Sequence, residues 1–348
     1  MNTRKERLFY LDFIRAIAAV SIVITHFNAR YSVHIPEIKG RMIGLEKIGN
    51  IGSGEWGVSL FFIISGAALM YIYQEKCDWK LFYKKRFLSI YPMFWIAYIA
   101  VFLYSFWENH AVIGGETENW RMIFSVLGFD GLLATNGYAT FYLIGEWFLG
   151  VIILMYIIFP LLLKILRHSP ILLLGITMLC YLLGIFACSR ISYPIVPATV
   201  LFIRLPEIVF GMFFVKQHWN VDWKVALVGM IVIIANWFLK PSFSSSVQTT
   251  YVGIASFLVL VFIANLVKCS CVTYICSVLS KYSYAIFLVH HVIIANMMQK
   301  FDLIHMSKMH SYILFLTIGC VIAFFSWLLY QFHDFVMREW KKMWAKTN

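Results

Sequence analysis

Three ionisable residues stand inside the first apolar stretch of the chain, the run from Tyr10 to His26: Asp12, Arg15 and His26. An ionised side chain costs roughly 2.5–3.5 kcal/mol at the centre of a lipid-embedded helix, so such groups point to chemistry. Asp12 and Arg15 are three residues apart and can pair on one helix face. Arg15 and His26 are eleven apart, which at about 100° per residue returns to nearly the same face, roughly 16 Å along the axis. One stripe therefore reads Asp12, Arg15, Ala19, Ile22 and His26, and its small residues let another helix or a slender ligand approach. Histidine, with an ordinary pKa of about 6.5, suits proton transfer near neutrality. The same groups also suit a structural ion pair and an interfacial histidine, and the stripe by itself leaves both readings open.

The elements that must carry these residues follow from composition. Of 348 residues, 61% are hydrophobic and 13% charged, and the mean hydropathy is +0.78. A soluble domain has about 45–50% apolar and about 25% charged residues. So few charges cannot coat a water-soluble surface, which excludes a soluble globule as well as disordered, collagen-like and disulfide-scaffold chains. The expected fold class is all-α, a polytopic transmembrane helical bundle. A span needs about 20 apolar residues, and ten stretches approach this: 8–27, 57–73, 87–107, 148–166, 171–188, 203–215, 225–239, 249–266, 275–298 and 311–330. The stretch 122–133 is too short and carries Asp130, so it reads as interfacial or re-entrant. The first span lacks a small-residue cleavage site and is expected to stay attached rather than act as a signal peptide. Residues 1–348 are expected to form a single membrane domain with no separate soluble one.

The net charge of +12 would also suit nucleic acid, but no basic run interleaves with stacking aromatics. Its distribution fits positive cytoplasmic loops instead. Arg4, Lys5, Arg7, Lys76 to Arg86, Lys164, Arg167, Arg338, Lys341 and Lys342 fall on one side, with Glu108, Glu116, Glu118 and Asp130 opposite. Both termini are thus expected in the cytoplasm, and the chain in a bacterial cytoplasmic membrane. Cys269, Cys271 and Cys276 lack paired Cys-x-x-Cys spacing, so they read as reduced structural thiols and no metal site is expected.

Leu11-Asp-Phe-Ile-Arg15-Ala-Ile-Ala, followed by His26, resembles the opening of the bacterial membrane acyltransferase-3 family, with the family's arginine-x10-histidine motif falling on Arg15 and His26. Gly57 to Gly66, ending in Ser65-Gly66, is similar to the family's second-helix segment. Phe82 to Pro92, with Lys84, Lys85 and Arg86, is similar to its basic cytoplasmic loop and third-helix start. Gly145-Glu146-Trp147-Phe-Leu149, Arg204-Leu-Pro-Glu207 through Gly211, and Ser283 through His290 resemble later signatures, so the resemblance spans essentially the whole chain. The sequence departs from the family in having Ser89 where a second arginine is common, and Ile152 where many members carry glutamate. Glu146, beside the tryptophan, reads either as a substitute for that glutamate or as a solvated loop carboxylate.

The resemblance implies transfer of an acyl group, usually acetyl from cytoplasmic acetyl-CoA, to a hydroxyl of a surface polysaccharide or its lipid-linked precursor. His26 would be the base or a transient acyl carrier, with Asp12 and Arg15 ordering the inner end of the pathway. Arg15, Arg86, Lys85 and Lys84 would bind the phosphates of the donor. Ser65, Glu146, Trp147, Arg204, Glu207 and His290 are the supporting or acceptor-side candidates, with adjacent His291 ranked below His290 because it projects about 100° away. No tightly bound cofactor is expected, acetyl-CoA or another acyl-CoA being a co-substrate. The expected partners are membrane lipid, the donor, a glycan acceptor and glycan-assembly proteins, with no nucleic acid. The rival reading is a transporter or flippase of the same glycan; no inverted repeat is visible. A catalytically inactive scaffold is a third, opposed by the intact Arg15 and His26.

Overall fold

Apolar runs in a medium without water must satisfy their own backbone groups, and a helix is the local solution. The computed structural model describes residues 7–32, 36–110, 117–191 and 195–347, so Arg4, Lys5 and Glu116 lie outside the described residues. It is an all-α polytopic bundle. Its helices are α1 (Phe9–Ser32), α2 (Ser53–Tyr73), α3 (Trp79–Asn109), α4 (Met122–Leu127), α5 (Asp130–Thr135), α6 (Trp147–His168), α7 (Pro170–Arg190), α8 (Leu201–Lys216), α9 (Trp223–Leu239), α10 (Ser245–Leu266), α11 (Ser270–Met298) and α12 (Lys308–Thr347). A small antiparallel hairpin pairs β1 (Lys47–Ile48) with β2 (Ile51–Gly52).

All ten expected spans are helical, but eight of the described helices are long and apolar enough to cross a membrane. The other two are α8, with 16 residues, and α9, with 17. Polar punctuation bounds α9. Asp222 caps its start by accepting a hydrogen bond from the Val225 amide at 3.0 Å, and Lys240 ends it in a left-handed conformation. The stretch expected to be interfacial is two six-residue helices, α4 and α5, parted at Gly128 with φ +76°. Neither is long enough to span.

Contacts divide the chain into two units. The first comprises Met1–Thr25, Gly44–Phe82 and Val151–Lys281; the second comprises His26–Ile43, Tyr83–Gly150 and Tyr282–Asn348. Within the first unit, α2 and α8 pack almost backbone to backbone. A methyl group added at Gly66 would overlap the Ile208 carbonyl, and one at Gly211 would overlap the Ile63 carbonyl. Hydrocarbon gives apolar side chains no preference for one another over lipid, so close van der Waals packing through small residues supplies the association. Leu60, Phe62, Ile63 and Ile64 on α2 and Ile203 and Ile208 on α8 are fully buried.

In the second unit, α3 anchors the irregular segments that follow it. Trp95 Nε1 donates to the Val126 carbonyl at 2.9 Å, and the Tyr98 hydroxyl donates to the Phe141 carbonyl at 2.6 Å. The end of α1 is held by a reciprocal pair, Asn28 Nδ2 to the Ile43 carbonyl at 2.8 Å and the Ile43 amide to Asn28 Oδ1 at 2.9 Å. The Tyr31 and Ser311 hydroxyls meet at 3.0 Å, which fixes that end against α12.

Gly66→Ala or Gly211→Ala is expected to destabilise the protein by about 1–3 kcal/mol through overpacking, lowering its thermal midpoint in detergent by several degrees. Gly319→Ala, inside α12 where nothing lies within 4 Å of the added methyl, is the control and should not lower the midpoint.

Candidate functional site

The second unit gathers His26, Glu146 and His291. One ligand-type atom from each lies within 4.8 Å of the others, a grouping that could hold a metal ion although the sequence suggested none. His26 comes from α1 and His291 from α11, and their rings are 5.0 Å apart at 77°. His291 Nδ1 lies 3.3 Å from Glu146 Oε1, with the two side chains 38% and 18% exposed. Glu146 also accepts a hydrogen bond from the Tyr142 hydroxyl at 2.8 Å. Burial, followed by the Glu146 carboxylate, pushes the Tyr142 phenol far above its ordinary value, so it remains a donor at any physiological pH.

Backbone devices set the position of Glu146. Gly145 has φ +80°, a conformation that favours glycine, and it turns the chain into α6. Residue 131 bridges to Glu146, and a methyl at Gly131 would overlap the Gly145 carbonyl, so the two segments are in backbone contact. The first turn of α6 starts from Glu146, whose carbonyl accepts from the Leu149 amide at 2.8 Å.

His290 and His291 leave α11 about 100° apart, yet both rings meet His26, each at 5.0 Å. The His26 ring lies in the angle between them. Fully buried His290 turns Nδ1 back to the carbonyls of Ile286 and Phe287 at 3.0 and 2.9 Å. His291, placed second by the sequence, is the histidine that faces a carboxylate. Its signal in the sequence was the doublet itself; that of Tyr142 was only its place four residues before Glu146.

In the first unit the expected direct Asp12–Arg15 pair is replaced by a bridge. The Ser280 hydroxyl donates to Asp12 Oδ1 at 2.6 Å and accepts from Arg15 Nη1 at 3.2 Å, while Arg7 pairs with Asp12 Oδ2. The physical reason is that α11 brings a short hydroxyl between two side chains that would otherwise meet across one helix turn. Beside this network is a cavity of about 380 Å³ lined by Arg7, Phe9, Asp12, Ser270, Thr273, Tyr274 and Ser277.

The remaining candidates are dispersed. Ser65 donates to the Phe61 carbonyl of its own helix at 2.7 Å. Arg204 and Glu207 are both fully buried in α8 and pair at 3.1 Å, with Arg204 Nε also donating to the Ala198 carbonyl at 3.0 Å. Lys84 and Lys85 are exposed on the first turns of α3, Arg86 is half-buried, and Trp147 opens α6 half-buried beside Glu146. Cys269 and Cys271 are exposed, Cys276 is buried, and all three are free thiols.

The family described as an acyltransferase domain, Acyl_transf_3, matches residues 8–331. No curated protein and no solved structure gives a match.

Asp130, immediately before Gly131 and 1% exposed, supplies a pH test of this region. Burial pushes its carboxyl up from 3.8 to about 6. Between those values the folded chain keeps a proton that the unfolded chain has released, so stability falls as pH rises from about 4 to about 6 and is level above. Asp130→Asn is expected to flatten that slope and to stabilise the protein at pH 7 by on the order of 1–2 kcal/mol, read as a higher thermal midpoint at pH 7 and little change at pH 4.

Proposed function

The chain belongs to the acyltransferase-3 family, and from that premise we propose that it moves acetyl from acetyl-CoA to a hydroxyl of a cell-surface or exported polysaccharide or its lipid-linked precursor. It is an acyltransferase with multiple apolar helices of membrane-crossing length. In the proposed reading it sits in a bacterial cytoplasmic membrane, takes its donor from the cytoplasm and works beside glycan-assembly proteins.

The observation that carries the reading is the imidazole of His26 set within 4.8 Å of His291 and Glu146. Acyl transfer from a thioester to an alcohol needs a group that removes the hydroxyl proton, or one that receives the acyl group first and passes it on. A half-buried imidazole beside a second imidazole and a carboxylate suits either role. Positive charge for the polyanionic donor is available on Arg15, whose guanidinium is oriented by Ser280. Arg86, Lys84 and Lys85 offer more of it on α3. Arginine forks recognise phosphate through two parallel hydrogen bonds, which a solvated lysine does not reproduce.

Purified protein in lipid nanodiscs, given acetyl-CoA labelled in the acetyl group, tests the reading. His26→Ala is expected to insert and fold normally while acyl transfer and donor hydrolysis fall by about 100-fold or more. Wild-type rates from that variant would remove His26 from the mechanism. Arg15→Ala is expected to raise the KM for acetyl-CoA about tenfold, equivalent to roughly 1.4 kcal/mol, with a smaller effect on kcat. An unchanged KM would assign Arg15 to structure alone. Vectorial movement of an unmodified glycan without acylation would favour the transporter.

A further inference from the structure

Two imidazoles meet edge to face in the second unit, and their partners differ. His291 has a carboxylate at Nδ1, 3.3 Å away on Glu146. A carboxylate at that distance favours the tautomer with its proton on Nδ1, which leaves the Nε2 lone pair free, the arrangement that makes a histidine an oriented base. His26 makes no hydrogen bond from either ring nitrogen among the described residues, and no carboxylate pairs with it at salt-bridge distance. His290 also has an Nε2 without a hydrogen-bond partner among the described residues, but its ring is fully buried and offers an acceptor no access, so burial sets it aside. We propose that His291, held by Glu146, is the base that takes the proton of the acceptor hydroxyl, which leaves His26 as the residue that carries the acyl group.

The proposal rests on the acyl-transfer reading above and separates two roles that reading left joined in His26. In the first step a lone pair of His26 attacks the thioester carbonyl carbon of the acyl-CoA. A nitrogen–carbon bond forms, the carbon–sulfur bond breaks, and the thiolate departs with the proton from the other ring nitrogen. In the second step the acceptor oxygen attacks that carbon while its proton passes to His291 Nε2. The nitrogen–carbon bond breaks, its electron pair returns to His26, and His291 hands on the proton to restore the neutral ring of His26. The products are the ester and the free thiol, and both imidazoles end as they began. Ligand-type nitrogens of the two rings lie within 4.8 Å of each other and the rings are in edge-to-face contact at 5.0 Å, so the acceptor hydroxyl approaches beside the pair rather than between the rings.

Glu146 is a positioning residue in this scheme, and its own position is constrained twice. The Tyr142 hydroxyl donates to Oε1 at 2.8 Å, and the left-handed turn at Gly145 against Gly131 sets the backbone. His291 is 38% exposed at its side chain, which gives an acceptor access to the base.

Two reactions that need only acetyl-CoA and water separate the steps. Exchange of labelled free CoA into acetyl-CoA reports formation of the acyl-enzyme; hydrolysis of acetyl-CoA reports its transfer to an acceptor oxygen. In the nanodisc protein, His291→Gln is expected to keep exchange within about threefold while hydrolysis falls about 100-fold or more, with acetyl accumulating on His26 by peptide mass analysis. His26→Ala should lose both. Glu146→Gln should reproduce the split more weakly, and Glu146→Asp should restore part of the hydrolysis, which a purely structural role would not do. Retained exchange is itself the proof that a variant is folded.

Loss of exchange and hydrolysis together in both His291→Gln and Glu146→Asp, or retention of both in His291→Gln, would overturn the proposal. Wild-type hydrolysis without exchange or acetyl-His26 would overturn the covalent role of His26 while leaving the acyl-transfer reading intact. A wild-type protein that does neither reaction would defeat the two together. One equivalent of zinc, lost in His291→Gln, would also overturn it by assigning the three side chains to a cation.

Discussion

Hydrocarbon offers no partner to a charge or to a backbone amide, and the arrangement of polar groups in this protein follows from that single constraint. Among the described residues, two sets of charges buried in apolar helices have partners within the protein. Asp12 takes Arg7 and Ser280. Arg204 takes Glu207 and a backbone carbonyl, both side chains being wholly shielded. Pairing two charges out of water barely repays their desolvation, but leaving either one alone would be strongly destabilising. These residues therefore behave as pairs, and the loss of one member exposes the cost of the other.

The same constraint explains why helix packing relies on glycine. Lipid tails are as apolar as leucine, so burying a leucine between helices gains little over leaving it in lipid. Close backbone approach makes up the difference, and Gly66 and Gly211 permit it between α2 and α8. A similar approach is put to another use at Gly131 and Gly145. There a backbone contact sets the carboxylate of Glu146, and a left-handed turn starts the helix that follows it. Packing and chemistry draw on one device, the absence of a Cβ.

Chemically, the imidazole group around His26 is asymmetric. Three histidines meet within a small volume, but their nitrogens have different partners: backbone carbonyls for His290, a carboxylate for His291, and none among the described residues for His26. Identical side chains thereby acquire different capacities. The tautomer of each ring, and so which nitrogen offers a lone pair, is set by the hydrogen bond that the other nitrogen makes.

Apolar runs and their punctuation made the helices legible in the sequence, since helix formation depends on local composition. The same local logic identified the stretch around Asp130 as too short to span and marked the stripe of Asp12, Arg15 and His26. The two short spans were already short as apolar runs; the ends of α9 are set by Asp222 and Lys240, which act on single turns, below the resolution of a hydropathy run. The partners of the charges were not legible. Asp12 and Arg15 are a natural pair on one helix, yet Ser280, 265 residues from Arg15, stands between them. Nor could spacing rank His291 above His290, because a 100° difference on α11 acquires meaning only when α1 places a ring between the two. Sequence alone determined that charges and imidazoles would sit in apolar helices, because side-chain types and helical period are written in the chain. Tertiary structure alone decided which groups meet, because hydrogen bonds and carboxylate contacts form between segments whose approach is set by packing.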